Sequence, residues 1–250
     1  MRTKRLLLFL VPVVILAAVE IYPLARKATP GMIVSELEGF RVFHVPADEA
    51  GARAVARALA ESRDRVMAAL EPGDSRPVAV YVYHAQKDMQ ARRYGAITRL
   101  FSLDWWIGDN TRDAVLIVNP GPPGAPNHDH IVTAAVHEFV HVLTDRLNPR
   151  TSKWLKEGLA CYVAGQAPPA GFARQAGPPA FALLGASNPV AFAKAGGYQH
   201  SYVYVDFLAG RYGWPAVRDL LLAGEDYEAV LHKSRKEIYE EWLAAAFPES

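Results

Sequence analysis

The residues with the clearest chemical potential lie in the segment TAAVHEFVHVLTD, Thr133 to Asp145. His137 and His141 stand four apart, and Glu138 directly follows the first histidine. On a helix of 3.6 residues per turn, positions four apart differ by about 40° around the axis, so both imidazoles share a face and can reach one metal ion. Glu138 lies about 100° from His137, beside that ion rather than opposite it. This is the HExxH arrangement: two zinc ligands and a carboxylate placed to take a proton from water. The pattern is short enough to arise by chance, so the neighbouring sequence must supply the rest of a site.

A catalytic zinc needs a third protein ligand and an open fourth position. The segment SKWLKEGLACY offers Glu157, 16 residues after His141. If the first helix runs about six residues past His141 and the next starts about five before Glu157, the chain travels out about 9 Å and returns about 7.5 Å. An antiparallel pair joined by NPRT then brings Glu157 level with the histidines. Asn148-Pro149 stops one helix, and Thr151 or Ser152 caps the next. Gly158 permits close helix approach near the metal. A solvated surface carboxylate is the plainer reading of Glu157, but the flanking Trp154, Leu155 and Leu159 argue for a buried face.

These motifs resemble those of the gluzincin metallopeptidases, and most closely of the peptidase MA-like domains. Three segments carry the resemblance: His137–His141, the WLKEGLA stretch at Trp154–Ala160, and YQHSYVYVDFL from Tyr198, with its Tyr-x-x-Ser pattern. The terminal SRKEIYEEWLAAAF is similar to the closing helix of such domains. The resemblance covers roughly Val115 to Phe247, and Phe40 to Arg112 carries none. It implies a zincin-like fold, one zinc ion held by His137, His141 and Glu157, and Glu138 as general base and acid. It also implies that the VLIVN strand is the sheet edge along which an extended peptide substrate lies, since an edge offers unpaired N–H and C=O groups. For the donor to the developing oxyanion it points first to Tyr198, with Tyr202 one turn on and His200 still open. No recognition motif for a free N-terminus is present, so endo- and exopeptidase action are not separated.

Other candidates are weaker. Asp145, four residues beyond His141, suits the second-acceptor role that metal-bound histidines need, or is a solvated last-turn residue. His128, Asp129 and His130 suggest a second metal cluster, but the favoured expectation is a helix-start aspartate with two exposed loop histidines. Trp105-Trp106 is expected to place one ring in a core and one at the surface.

The chain that must position these groups has 250 residues, 51% hydrophobic and 21% charged, with a net charge of +1. That balance suits a globular domain and offers no basic field for nucleic acid. The single cysteine, Cys161, excludes an internal disulfide framework and a four-cysteine zinc site, and its helical setting suggests a small buried apolar residue. At the N-terminus Arg2, Lys4 and Arg5 precede an apolar run from Leu6 to Val19. That pattern is expected to be a signal anchor over residues 1–28, with the remainder outside the cytoplasm. Ala17 and Ala18 offer the alternative of a cleaved signal peptide and a secreted domain.

Residues 29–250 are expected to form one α+β domain, with a small N-terminal mixed sheet and a helix beside a mainly helical half. Strands are expected at Phe40–Val45, in RPVAVYVYHA, in ITRLFSLDWWIGDN and in DAVLIVNP, the last two joined by a turn at Gly108–Thr111. A long helix follows Pro46, and helices follow at Asp129–Leu147, Ser152–Gly165, Tyr198–Tyr212, Pro215–Leu222 and Lys233–Ala246. The Gln166–Gly197 connection has no readable structure. Two functions compete: a membrane-tethered zinc peptidase, and a catalytically silent envelope binding or scaffold protein on the same fold. A scaffold has no need of Glu138, so its presence beside all three ligands favours the enzyme.

Overall fold

A computed structural model of the chain describes Leu24 and residues 26–74, 76–100 and 104–247. The expected anchor, Leu6 to Val19 with its cationic flank, lies outside the described residues. Among the described residues no helix is long and apolar enough to cross a membrane. The protein is α+β, with a five-stranded mixed sheet and a mostly helical remainder. It divides into two compact units, one formed by the chain up to Ala58 and by Pro77–Ala135, the other by Leu59–Arg76 and everything from Val136.

The first unit holds strands β1 (Ile33–Leu37) and β2 (Phe40–His44), the start of helix α1 (Glu49–Leu70), strand β3 (Ala79–Tyr83), helix α2 (Gln86–Tyr94) and strands β4 (Gly108–Thr111) and β5 (Ala114–Val118). The sheet order is β1-β2-β3-β5-β4. β2, β3 and β5 run parallel, and β1 and β4 pair antiparallel at the two edges. β1 and β2 form a hairpin whose turn, Glu38-Gly39, has φ of 49° and 78°, the left-handed pair that matches strand twist. Side chains alternate along a strand, so Val80, Val82, Val115 and Ile117 fill one face, and all four are fully buried. Tyr83 and Leu116 fill the other, with Met89 of α2. Burial on both faces explains why AVYVY and AVLIV read as unbroken β formers.

Three expectations change here. ITRLFSLDWWIGDN does not read as expected: Ala96–Leu100 is a 3-10 turn, begun at Gly95 with φ +96°, whose carbonyl accepts from the Thr98 backbone N–H and hydroxyl, and Gly108–Asn110 at its end belong to β4. The supposed turn Gly108–Thr111 is itself β4, and the chain reverses at Arg112-Asp113. VLIVN is not an edge: β5 lies between β3 and β4, and β4 is the edge strand on that side. The β formers from Ile97 to Leu100 mislead because local hydrogen bonds from Thr98 to the Gly95 carbonyl outcompete strand pairing. Trp105 and Trp106 lie outside any strand, stacked at 5.6 Å, the first exposed and the second half-buried. In this unit β1 and α2 have no counterpart among the expected elements. The run QKDMQARRY has too few apolar residues to announce a helical stripe.

The second unit contains the later part of α1, helix α3 (His128–Leu147) from Val136 onward, and helices α4 (Lys153–Ala164), α5 (Phe172–Ala176), α6 (Pro189–Lys194), α7 (Gly197–Tyr212), α8 (Trp214–Leu222), α9 (Tyr227–Leu231) and α10 (Arg235–Ala246). The unreadable Gln166–Gly197 connection therefore carries α5, a 3-10 turn at Phe181–Gly185, and α6 capped by Asn188. Trp154 centres the core. Its ring meets Tyr204 at 5.6 Å, Trp242 at 5.7 Å and Phe192 at 6.3 Å, mostly edge to face. The Trp214 indole and the Arg218 guanidinium donate to the Ala69 and Leu70 carbonyls, closing the end of α1 against α8.

α4 and α7 pack backbone to backbone at Gly158. A Cβ there would stand 2.5 Å from the Ser201 carbonyl oxygen and 2.7 Å from Val205 Cγ2. Neither neighbour can retreat, because Ser201 is helical backbone and Val205 is fully buried. Gly158→Ala is expected to cost about 1–3 kcal/mol, read as a lower midpoint in urea unfolding. An unchanged midpoint would contradict the close approach of the two helices.

Candidate metal centre

Two helices and the turn between them build the centre. α3 carries His137 and His141 one turn apart, and α4 carries Glu157. The turn Asn148–Ser152 is held at several points. The Asn148 amide donates to the Leu221 carbonyl at 2.9 Å, and Thr151 donates to the Asn148 carbonyl at 2.9 Å. Ser152 caps α4 by accepting from the Leu155 N–H. Ser152 itself is gripped by Glu225, which accepts from its N–H at 2.6 Å and from its hydroxyl at 2.9 Å. The first residue of α4 therefore has a fixed position, and Glu157 one turn further has one too.

The outcome is a convergence of three donor atoms. His137 Nε2 and His141 Nε2 each lie 3.1 Å from the same oxygen, Glu157 Oε2. All three residues are buried, 8%, 5% and 6% exposed. For a four-coordinate ion with bonds of about 2.0–2.1 Å, donor atoms sit about 3.3 Å apart, so the spacing fits such an ion closely. Among the described residues this is the group of histidine, cysteine and acidic side chains able to hold a metal ion.

The surrounding hydrogen bonds favour a cation at that point. Gln166 Oε1 lies 2.7 Å from His137 Nδ1, and a carbonyl oxygen only accepts, so Nδ1 carries the proton. Nε2 then faces the Glu157 oxygen with a lone pair unless a proton or a metal ion stands between them. The second Glu157 oxygen accepts from Lys153 Nζ at 3.0 Å. Burial opposes charge on all three groups. At His137, hydrogen bonds with Cys161 and Glu157 outweigh it and hold the pKa well above 6.5. At His141 burial prevails over the pull of Glu157 and lowers the pKa. At Glu157 the effect of burial is overcome by His141 and His137, which hold the carboxyl well below 4.5. Without a metal His137 thus holds a second proton, on Nε2 toward Glu157.

The other expected residues divide. Glu138 follows His137 on α3 and is partly exposed. The Tyr198 ring lies 6.5 Å from the His137 ring and 5.3 Å from Phe192. Tyr202 instead pairs with Tyr162 at 5.4 Å, and His200 is buried among Phe172, Trp242 and Phe247. Asp145 does not reach His141: it pairs with Lys156, and His141 Nδ1 is buried without a hydrogen-bond partner. His128 is not an exposed loop residue but the buried first residue of α3, with Nδ1 3.1 Å from the Gly121 carbonyl. Cys161 is buried as expected, and its Sγ lies 3.8 Å from His137 Nδ1.

Sequence reasoning missed Gln166 and Lys153. A signal for each existed: Lys153 stands four before Glu157, and Gln166 follows Gly165, a helix-ending glycine that turns the chain back. Compared with protein-family models, curated proteins and solved structures, the chain matches none. Fold and site together define an α+β protein with a buried His-His-Glu group fit for one metal ion.

Two outcomes follow for metal uptake. The chain should bind one divalent ion per molecule by elemental analysis, and His141→Ala or Glu157→Ala should abolish binding. Uptake must also displace the proton on His137 Nε2. A raised pKa keeps that proton on below its folded value and sheds it above, so roughly one proton should be released per ion near pH 6, and fewer as the pH climbs. Calorimetry in buffers of different ionisation enthalpy measures this, and heats independent of buffer would contradict the assigned protonation.

Proposed function

We propose that the chain is a zinc-dependent peptidase of the gluzincin type, with a zincin-like fold. Its N-terminal segment tethers it to the membrane and its working part lies outside the cytoplasm. The observation that carries the reading is that the histidines of HExxH and the glutamate of WLKEGLA meet at a single point, buried, with both Nε2 atoms 3.1 Å from one carboxylate oxygen. Two nitrogens and one oxygen, with the fourth position left to water, are the donor set of a catalytic zinc. Bound zinc supplies Lewis acidity to a substrate carbonyl and acidifies water.

The chain's own residues do the rest. Glu138, one position from His137, takes a proton from the attacking water and delivers it to the leaving amine nitrogen as the C–N bond breaks. The water oxygen forms the new C–O bond, so a carboxylic acid and an amine result. Tyr198, the tyrosine whose ring approaches His137, donates its hydroxyl to the developing oxyanion. The tether rests on Arg2, Lys4 and Arg5 ahead of the apolar run, which places the remainder across the membrane.

The full-length chain in detergent, loaded with zinc, should cleave members of a mixed peptide library. Glu138→Gln should keep its zinc and lose about 10²–10⁴-fold in rate. Tyr198→Phe should lose about 10²-fold in kcat with little change in KM. Equal cleavage by the parent and Glu138→Gln would end the peptidase reading, and retained zinc with no cleavage by either would leave a metal-binding scaffold.

A further inference from the structure

We infer that Gln166 and Lys153, neither of them a ligand, are positioning residues that select which atoms of His137 and Glu157 face the metal. This rests on the reading of the centre as a zinc site and adds to it the means by which the ligand atoms are chosen.

The case for Gln166 begins at the end of α4. Gly165 takes the left-handed conformation, φ +76° and ψ 25°. Its N–H donates to the Tyr162 carbonyl at 3.1 Å, and the Gln166 N–H reaches back to the Cys161 carbonyl at 2.8 Å. This six-to-one bond reverses the chain, and a side chain with a Cβ would be strained at Gly165. The reversal carries Gln166 back over the helix it has just left, so that its carbonyl meets His137 Nδ1 at 2.7 Å. An imidazole has two nitrogens and, when neutral, one proton. A pure acceptor on Nδ1 keeps the proton there and leaves Nε2 as the ligand atom. Cys161 Sγ, at 3.8 Å from the same nitrogen, is too distant and too weak an acceptor to replace it.

Lys153 acts on the other ligand. It stands one turn before Glu157 on α4, with its ammonium 3.0 Å from Glu157 Oε1. The same ammonium lies 5.6 Å from the centre of the fully buried Phe192 ring, which restrains its swing. With Oε1 held, Oε2 alone faces the two histidine nitrogens. Glu157 then binds through one oxygen, and a coordination position stays open for water or substrate.

The test uses the full chain in detergent, with zinc affinity measured by chelator competition and the visible absorption of the cobalt-substituted protein. Gln166→Leu should weaken zinc about 10–100-fold. Gln166→Glu, which restores an acceptor, should recover most of that loss. The metal-free thermal midpoint should be alike in the two variants, whereas a purely structural glutamine would shift it and show no recovery with glutamate. Lys153→Met frees Oε1, so cobalt absorption should fall from the intense four-coordinate level toward a weaker, higher-coordinate one. If the parent holds zinc and Gln166→Leu binds as tightly, or Gln166→Glu as weakly as Gln166→Leu, the role assigned to Gln166 is wrong. An unchanged cobalt spectrum in Lys153→Met overturns that of Lys153. If the parent itself takes up no zinc, the peptidase reading fails and this inference with it.

Discussion

Two imidazole nitrogens point at one carboxylate oxygen inside the protein, and the second helical unit is arranged around that meeting. An ionised carboxylate in a dry setting costs several kcal/mol unless charge and hydrogen bonds compensate it. Here compensation comes from His137 and His141 at Oε2 and from Lys153 at Oε1. A divalent cation between the nitrogens and Oε2 would satisfy all three donors at once, where a proton satisfies one pair. The geometry is therefore better matched to a metal than to the hydrogen bonds that stand in for it.

Everything that fixes this meeting also fixes α4 relative to α3. Glu225 and Asn148 clamp the intervening turn, and Ser152 caps the helix that leaves it. On its far side α4 is pressed against α7, where Gly158 leaves no room for a Cβ. Trp154, one turn before Gly158, locks the same helix into the aromatic core with Tyr204 and Trp242. Glu157 thus sits between a clamp at its N-terminal end and a tight packing joint beside it. That is the rigidity a preorganised metal site requires, since loosening of about 0.5 Å would spoil ligand geometry. The centre is built from helices, with one turn as hinge, and the α7 tyrosine Tyr198 arrives through the same joint.

How much of this was readable depended on whether the deciding interaction was local. His137, His141 and Glu157 could be placed on a shared face from helix period and an antiparallel return, and α3 ends at Leu147 and α4 begins at Lys153, within a residue or two of the required lengths. The parallel strands β3 and β5 announced themselves by unbroken β formers. The strand order did not, because which strand lies outermost is a matter of pairing between distant segments, and β5 turned out to be interior. Residues 97–110 read as strand by composition, yet Gly95 and Thr98 hydrogen bonds wound their start into a 3-10 turn. Asp145 seemed suited to His141 by helical spacing, but Lys156 on the neighbouring helix claims it. Gly165 signalled a reversal before Gln166 but not its partner, which lies 29 residues away.

X-ray absorption at the zinc edge of the loaded full-length protein addresses the central claim most directly. The expected first shell is nitrogen and oxygen at about 2.0–2.1 Å, with the outer-shell pattern of two imidazole rings and one carboxylate bound through a single oxygen. A sulfur neighbour at about 2.3 Å, which would recruit Cys161, or a shell without imidazole scattering would contradict it.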